Sequence, residues 1–270
     1  MVANDKTFDN FLNLSYNKEK RKEKRERSII MIDKLLFTGD THNNLEINRL
    51  SRNHFPLGQT FNKDTLLIVA GDFGFPWDGS KSDEWWLNWI EDLPFSVVFC
   101  DGNHVNFPLL YQYPEEEWYG GKTHVLRPHI HHLMRGEIFN FCNKKMFVFG
   151  GARSTDQHLR KEGKSWWPQE QPSYQECDCA AENLRKNNFQ IDYILTHCAP
   201  NYIVDKLYPY ENQYDSTTNF LERFVRMSCK FDMWMMGHYH FDRNYDNNKY
   251  NILYQNIMEL TPNGQLIKIN

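Results

Sequence analysis

The chain reads as an α/β protein, and three features of its sequence support that reading. Apolar runs of strand length recur along it, stretches of helical periodicity separate many of them, and five of the runs end abruptly in polar residues able to bind metal. Those five are Leu35-Leu36-Phe37-Thr38-Gly39-Asp40-Thr41-His42, Leu66-Leu67-Ile68-Val69-Ala70-Gly71-Asp72, Val97-Val98-Phe99-Cys100-Asp101-Gly102-Asn103-His104, Tyr193-Ile194-Leu195-Thr196-His197 and Met233-Trp234-Met235-Met236-Gly237-His238-Tyr239-His240. Such runs of β-branched, aromatic and aliphatic residues are expected to be strands buried on both faces. In open α/β sheets, ligands bind where strands of this kind end at their carboxyl edge. The five ends therefore bring two Asp, one Asn and several His to one rim. That is a hard nitrogen and oxygen donor set for a pair of divalent metals, and it points to phosphoester hydrolysis.

The elements follow in order. Residues 17–28 contain no apolar residue, so residues 1–30 are expected to be a charged leader, helical or disordered, before a single domain over 31–270. Phe8, Phe11, Leu12 and Leu14 are available to dock it as a short helix. Strand one spans about 34–39 and leads into a helix after His42; strand two covers about 65–70. A helix over about 82–92 carries Trp85, Trp86 and Trp89 on one side, a stripe expected to pack against the sheet. Strand three, about 95–100, precedes the Asn103-His104 loop. From Thr123 to Gly151 short strands at about 123–126, 130–134, 137–141 and 145–149 suggest that the chain crosses to a second sheet. Beyond the 152–170 loop, helices at about 173–187 and 215–227 alternate with strands at about 191–195 and 231–236. The tail, at about 239–245, 249–254, 256–260 and 265–269, is expected to finish the second sheet.

A chain of 270 residues with 40% hydrophobic content suffices for one large packed domain. The net charge of -4 argues against an electrostatic nucleic-acid binder as a whole, although residues 1–30 carry eight Lys/Arg against five Asp/Glu. Six scattered cysteines, no apolar leader and no eighteen-residue apolar run predict a reduced, cytoplasmic protein without a membrane span. The Cys177-Asp178-Cys179 spacing is not that of a zinc knuckle.

Taken in order, the motifs are Asp40-x-His42, Gly71-Asp72, Gly102-Asn103-His104, His197 and Gly237-His238-x-His240. Together they resemble the calcineurin-like metallophosphoesterase superfamily over nearly all of residues 34–260. The stretch from Asp101 to Gly151 and the Ser165-Trp166-Trp167-Pro168-Gln169-Glu170 segment look like a bacterial or phage-type branch of it. The resemblance implies a four-layer α/β/β/α sandwich with two mixed sheets and two metals at its rim. By position, Asp40, His42 and His240 would hold the first metal, Asn103, His197 and His238 the second, and Asp72 would bridge them. Mixed imidazole and carboxylate ligation suits Mn²⁺, the metal expected here, with Fe, Zn²⁺, Co²⁺ or Ni²⁺ as alternatives to it.

The implied reaction is hydrolysis of a phosphomonoester or phosphodiester by a metal-bound hydroxide. His104 is the candidate to protonate the leaving group, and Asp101 the candidate to orient its ring. Arg153 and Arg160 can form a fork for substrate phosphate, or remain solvated loop charges. Two alternatives stay open: a nuclease or nucleotide phosphodiesterase using the basic leader and aromatic loop, and a catalytically silent protein-binding scaffold. Gly39, Gly71, Gly102 and Gly237, each at a strand exit, are expected to make tight or positive-φ turns. Val105 replaces the acid usual after the Asn-His pair, and Asn43 replaces a Gly, an amide that tolerates left-handed backbone. Trp166 and Trp167 are read as packing, and His129, His131 and His132 as structural, with His132 on the opposite strand face from the other two.

Overall fold

The expected strand runs do form strands, and they sort into two mixed sheets. The computed structural model describes residues 32–211 and 213–270, so the leader expected at 1–30 lies outside the described residues. In chain order the strands are β1 (Lys34–Thr38), β2 (Thr65–Val69), β3 (Ser96–Phe99), β4 (Glu115–Trp118), β5 (Gly121–Arg127), β6 (Ile130–Leu133) and β7 (Ile138–Phe141). There follow β8 (Lys144–Phe149), β9 (Tyr193–Thr196), β10 (Met233–Met236), β11 (Arg243–Tyr245), β12 (Tyr250–Ile252), β13 (Met258–Leu260) and β14 (Leu266–Lys268). One sheet has the order β14-β13-β1-β2-β3-β6-β5-β4 and the other β11-β12-β10-β9-β8-β7.

Parallel pairing sets the register where it matters. Leu36 lies opposite Leu67, Leu67 opposite Val97, and in the second sheet Leu195 opposite Met235. The carboxyl ends of β1, β2 and β3 therefore finish level, as do those of β9 and β10. The five motif-bearing strands are thus divided between two sheets, three in one and two in the other.

Side chains alternate across each sheet. Leu36, Leu67, Val69 and Val97 pack with Leu87 and Ile90 of helix α1 (Lys81–Glu91), while Leu35, Phe37, Leu66, Ile68 and Val98 are buried on the opposite face. A four-residue helix, α2 (Phe107–Leu110), follows the Asn103-His104 loop. On the second sheet, Phe147, Phe149, Ile194, Trp234 and Met236 pack against Ala180 and Leu184 of α3 (Tyr174–Lys186) and Ile203 and Val204 of α4 (Asn201–Leu207). Phe220 of α5 (Ser216–Phe220) and the π-helical turn Leu221–Arg226 complete that layer. The fold is the expected four-layer α/β/β/α sandwich. Both long helices start at serine caps: Ser80 accepts from the Ser82 and Asp83 amides, and Ser173 forms a capping box with Glu176.

Four expectations change. Two short 3₁₀ turns, Asn43–Leu45 and Ile47–Leu50, replace the helix after His42. The passage to the second sheet occurs after β6, because β4, β5 and β6 extend the first sheet as an antiparallel meander. β13 and β14 do not finish the second sheet; β13 pairs antiparallel with β1 and covers its free edge. Trp85 is 57% exposed, and Leu87 and Ile90 supply the buried face of α1, with Trp86 and Trp89 packed at its margin. Trp167 is buried against Trp77, as the packing reading expected.

Candidate metal centre

The loops after β1, β2, β3, β9 and β10 meet where the two sheets' carboxyl edges adjoin. Five non-glycine residues there have positive φ: His42 (40°), Asn43 (60°), Asp72 (45°), His238 (73°) and His240 (55°). Such backbone costs energy for a residue bearing a Cβ and persists only where the surroundings hold it. The glycines serve a different purpose from the one expected of all four. Gly71 alone among them has positive φ. A Cβ on Gly102 would lie 2.0 Å from Asp72 Oδ1, and one on Gly237 2.3 Å from Asp40 Oδ1. These glycines are the room into which the aspartates fit.

Each aspartate divides its oxygens in the same way. Asp40 Oδ1 accepts from the His238 amide at 3.0 Å, and Asp72 Oδ1 accepts from the His104 amide at 2.8 Å. Both Oδ2 atoms are then aimed inward. Asp72 Oδ2 lies 3.6 Å from His42 Nε2, 3.4 Å from His197 Nε2 and 3.9 Å from His104 Nε2. Asp40 Oδ2 lies 3.8 Å from His42 Nε2 and 3.1 Å from His240 Nε2. The His240 approach lacks hydrogen-bond alignment, so Asp40 Oδ2, like His42 Nε2, is buried with no hydrogen-bond partner.

Those orphaned atoms fit divalent metals. Donors bound about 2.0–2.2 Å from one ion stand roughly 3–3.5 Å from one another, close to the spacings here. The histidines also present the correct nitrogen. His42 Nδ1 is held by Glu46 Oε2 at 2.9 Å and His197 Nδ1 by the Ala70 carbonyl at 2.8 Å, which directs each Nε2 inward. Among the described residues three donor groups arise: Asp40 with His42 and His240; Asp40 with Asp72 and His197; and His42 with Asp72 and His104. Asp72 belongs to two of them. His104, assigned to protonation rather than ligation, therefore stands at ligand distance as well. His238 is in none of the three; its ring lies 5.0 Å from that of His197. Asn103 Oδ1 is 3.1 Å from His197 Nε2, so those two come together as expected.

Charge follows the geometry. Burial opposes ionisation of Asp40 and Asp72, yet the neighbouring histidines, His197 foremost, hold both below the ordinary carboxylate value. Burial also pulls His42 and His197 down, but Asp72, with Asp40 and other partners, outweighs it and raises each ring to about 9. In His238, burial reinforced by the charge of His197 prevails, and the ring falls to about 3. The sign for metal uptake follows. Rings raised to about 9 carry a proton at neutral pH that an incoming ion must displace, so affinity rises with pH up to about 9. Manganese titration in weak buffer at pH 7 should release close to two protons on full loading; an affinity unchanged between about pH 6 and 8 would contradict it.

Asp101 does not orient His104. Its Oδ2 accepts from Arg135 Nε at 2.8 Å and Nη2 at 2.5 Å, and its Oδ1 pairs with His132 Nε2 at 3.2 Å. The partner of the His104 ring is Arg160, whose Nη2 lies 3.4 Å from Nε2 while Asp156 accepts from Arg160 Nε at 2.7 Å and from the same Nη2 at 2.8 Å. Arg153 is exposed and faces Asp215, whose carboxyl it helps lower against a larger upward push from burial. The two arginines do not form a fork by contact with each other; Arg160 alone touches the site. His132 and His124 share a 3.0 Å contact between their Nδ1 atoms, and His131 stacks on Trp118 at 4.5 Å, both structural roles.

Sequence reading missed the supports. Glu46 stands four residues after His42, a spacing that was its only signal, and Tyr254 donates to its other oxygen. Ser154 and Glu170, both buried, lie behind Asn103; Glu170 closes the Ser165–Glu170 segment, but nothing in that segment pointed to Asn103.

The sequence profile of calcineurin-like phosphoesterases matches residues 33–242. A search of curated protein sequences finds no match. Among solved structures, the chain is similar to the phosphopantetheinyl hydrolase PptH of Mycobacterium tuberculosis, at 13% identity and a TM-score of 0.42, covering 84% of this chain and 89% of that one. It is also similar to the sulfate thiohydrolase SoxB of Thermus thermophilus, at 13% identity and a TM-score of 0.39, covering 84% of this chain and 53% of that one. The matched span takes in every donor loop from Asp40 to His240, and the chain belongs to the calcineurin-like phosphoesterase family.

Proposed function

We propose that the protein is a dinuclear metal-dependent phosphoesterase that hydrolyses phosphomonoesters or phosphodiesters. The observation that carries this reading is the position of Asp72 Oδ2, which faces His42 on one side and His197 on the other at nearly equal distance. Asp40, His42 and His240 supply donors on the first side, and Asn103, His197 and His238 on the second. Divalent ions held there, with manganese the expected choice, would contribute Lewis acidity toward a phosphoryl group and acidify water.

The chain's own residues do the rest. Arg160, fixed by Asp156, offers a guanidinium to a phosphoryl oxygen beside His104. His104 Nε2 stands at the same edge; once protonated and released from the Arg160 contact it would hand a proton to a departing alkoxide. Burial pulls that ring below its ordinary value; Asp72 opposes the pull and Arg160 adds to it, so the protonated ring is a stronger acid but a less populated one at neutral pH. No helix among the described residues is long and apolar enough to cross a membrane.

Manganese-loaded protein offered p-nitrophenyl phosphate and bis-p-nitrophenyl phosphate should turn over at least one of them, and the ratio separates monoesterase from diesterase. Turnover of neither would overturn the reading. His104→Ala should lower kcat by about 10²–10⁴-fold on alkyl esters, and less on nitrophenyl esters, with metal content unchanged. Loss of metal in that variant would reassign His104 as a ligand.

A further inference from the structure

Asn103 can be a metal ligand only if its carbonyl oxygen, not its amide nitrogen, faces His197. The two ends of the amide are nearly the same size, so packing cannot choose between them. Hydrogen-bond polarity can. Asn103 Nδ2 donates to Ser154 Oγ at 3.2 Å, and Ser154 Oγ donates to Glu170 Oε2 at 2.6 Å. Glu170 Oε1 accepts from the Ser154 amide at 2.9 Å. All three residues are buried, with Glu170 1% exposed.

The direction of this chain is set at its far end. A carboxylate only accepts, so the single hydroxyl proton of Ser154 goes to Glu170. Ser154 Oγ is then left as an acceptor, and Asn103 must meet it with Nδ2. Its Oδ1 consequently faces His197. Glu170 is itself fixed: its carbonyl accepts from the Ala152 amide at 3.1 Å and from Arg135 Nη2 at 3.3 Å.

We infer that Glu170, acting through Ser154, is a positioning residue that sets the amide orientation of Asn103 and with it the affinity of the second metal site. This rests on the dinuclear reading above. It also gives the Trp-Trp-Pro-Gln-Glu segment a role that its aromatic residues do not explain. Loop 152–170, which carries Arg160 to His104, is tied through the same carboxylate to a ligand.

Glu170→Gln tests the inference because it preserves shape and bond count while reversing polarity. The Ser154 amide must still find an acceptor, so the new carboxamide oxygen takes the Oε1 place and its NH₂ meets Ser154 Oγ. The hydroxyl proton is then released toward Asn103, whose amide turns and presents nitrogen to the second site. In the wild type, Mn²⁺ titration followed by electron paramagnetic resonance should show two ions and an exchange-coupled spectrum. In Glu170→Gln the second affinity should fall about 10–100-fold, giving an uncoupled six-line signal at partial loading, with Tm little changed. In an Asn103→Asp background, which has no amide to turn, Glu170→Gln should be neutral or favourable to second-site affinity. Ser154→Ala, which removes only the relaying hydroxyl, should reproduce the second-site loss if Glu170→Gln folds poorly.

Glu170→Gln or Ser154→Ala binding both ions as tightly as the wild type would overturn the inference, as would an equal loss in the Asn103→Asp background. A wild type that takes up no second ion would instead defeat the dinuclear reading, and the inference with it.

Discussion

Asp72→Asn should remove metal-dependent turnover almost entirely and weaken both ions. The reason lies in how the two carboxylate oxygens are committed. Oδ1 accepts from the His104 amide at 2.8 Å, so in the variant the carboxamide oxygen is held at that place and the NH₂ is forced into the position of Oδ2. There it would confront the inward nitrogens of His42 and His197, which lie 3.6 and 3.4 Å from Oδ2. A shared donor becomes an N–H pointing at both sites, and a negative charge is lost between them. The cost should exceed the roughly 10–100-fold typical of an outer partner, reaching about 10³-fold or more in kcat/KM. Metal analysis after dialysis, with steady-state kinetics, checks this; a variant that retained two ions and ordinary kcat/KM would show that Asp72 bridges nothing. The same substitution removes the leading charge that raises His197, so that ring should titrate lower in the metal-free protein.

What could be read from the sequence was local. Each of the five strands is an apolar run closed by a residue able to bind metal, so strand, exit and candidate donor appear within eight residues and need no partner to be recognised. Hence β1, β2, β3, β9 and β10 lie where the runs placed them. Sheet membership is a long-range property, and here the sequence was mute. Nothing in Met258–Leu260 distinguishes a strand that pairs with β1 from one that pairs with β12; the free edge of β1 decides it. Asp101 shows the same limit in a site residue. Its position two residues before Asn103 suggested service to His104, whereas its partners Arg135 and His132 lie more than thirty residues away. The glycines were recognised as necessary, but for turn geometry. The close approach of Asp72 to Gly102 and of Asp40 to Gly237 is created only by the meeting of separate strands.

Arg135 carries the second large expectation, this one on stability. Its side chain is 3% exposed and donates to Asp101 Oδ2 from Nε at 2.8 Å and Nη2 at 2.5 Å. Nη2 also reaches the carbonyls of Gln169 at 2.8 Å and Glu170 at 3.3 Å. Arg135→Met keeps the bulk and leaves Asp101 charged, buried and short of its cation. Breaking a buried pair from one side costs about 3–5 kcal/mol, a large part of the roughly 5–15 kcal/mol that holds a typical domain folded. Urea denaturation at pH 7 should show that loss as a lowered midpoint. Adding Asp101→Asn to Arg135→Met should recover part of it, because the stranded charge is then gone. The pH dependence has a definite sign. Burial pushes Asp101 up, but Arg135 and His132 outweigh it and hold the carboxyl at about 2, against an ordinary value of 3.8. Its stabilisation is therefore complete above the unfolded value of 3.8 and is lost as pH falls toward 2. In Arg135→Met that acid-side loss should shrink or reverse, because without the leading cause of the lowering the folded-state carboxyl rises toward or above 3.8 and protonation then relieves the stranded charge. A variant unfolding within about 1 kcal/mol of the wild type would mean that the pair merely offsets its own desolvation. In that case Asp101 would be positioned by the strand end alone, and loop 152–170 would owe its anchorage to Glu170 and Ser154.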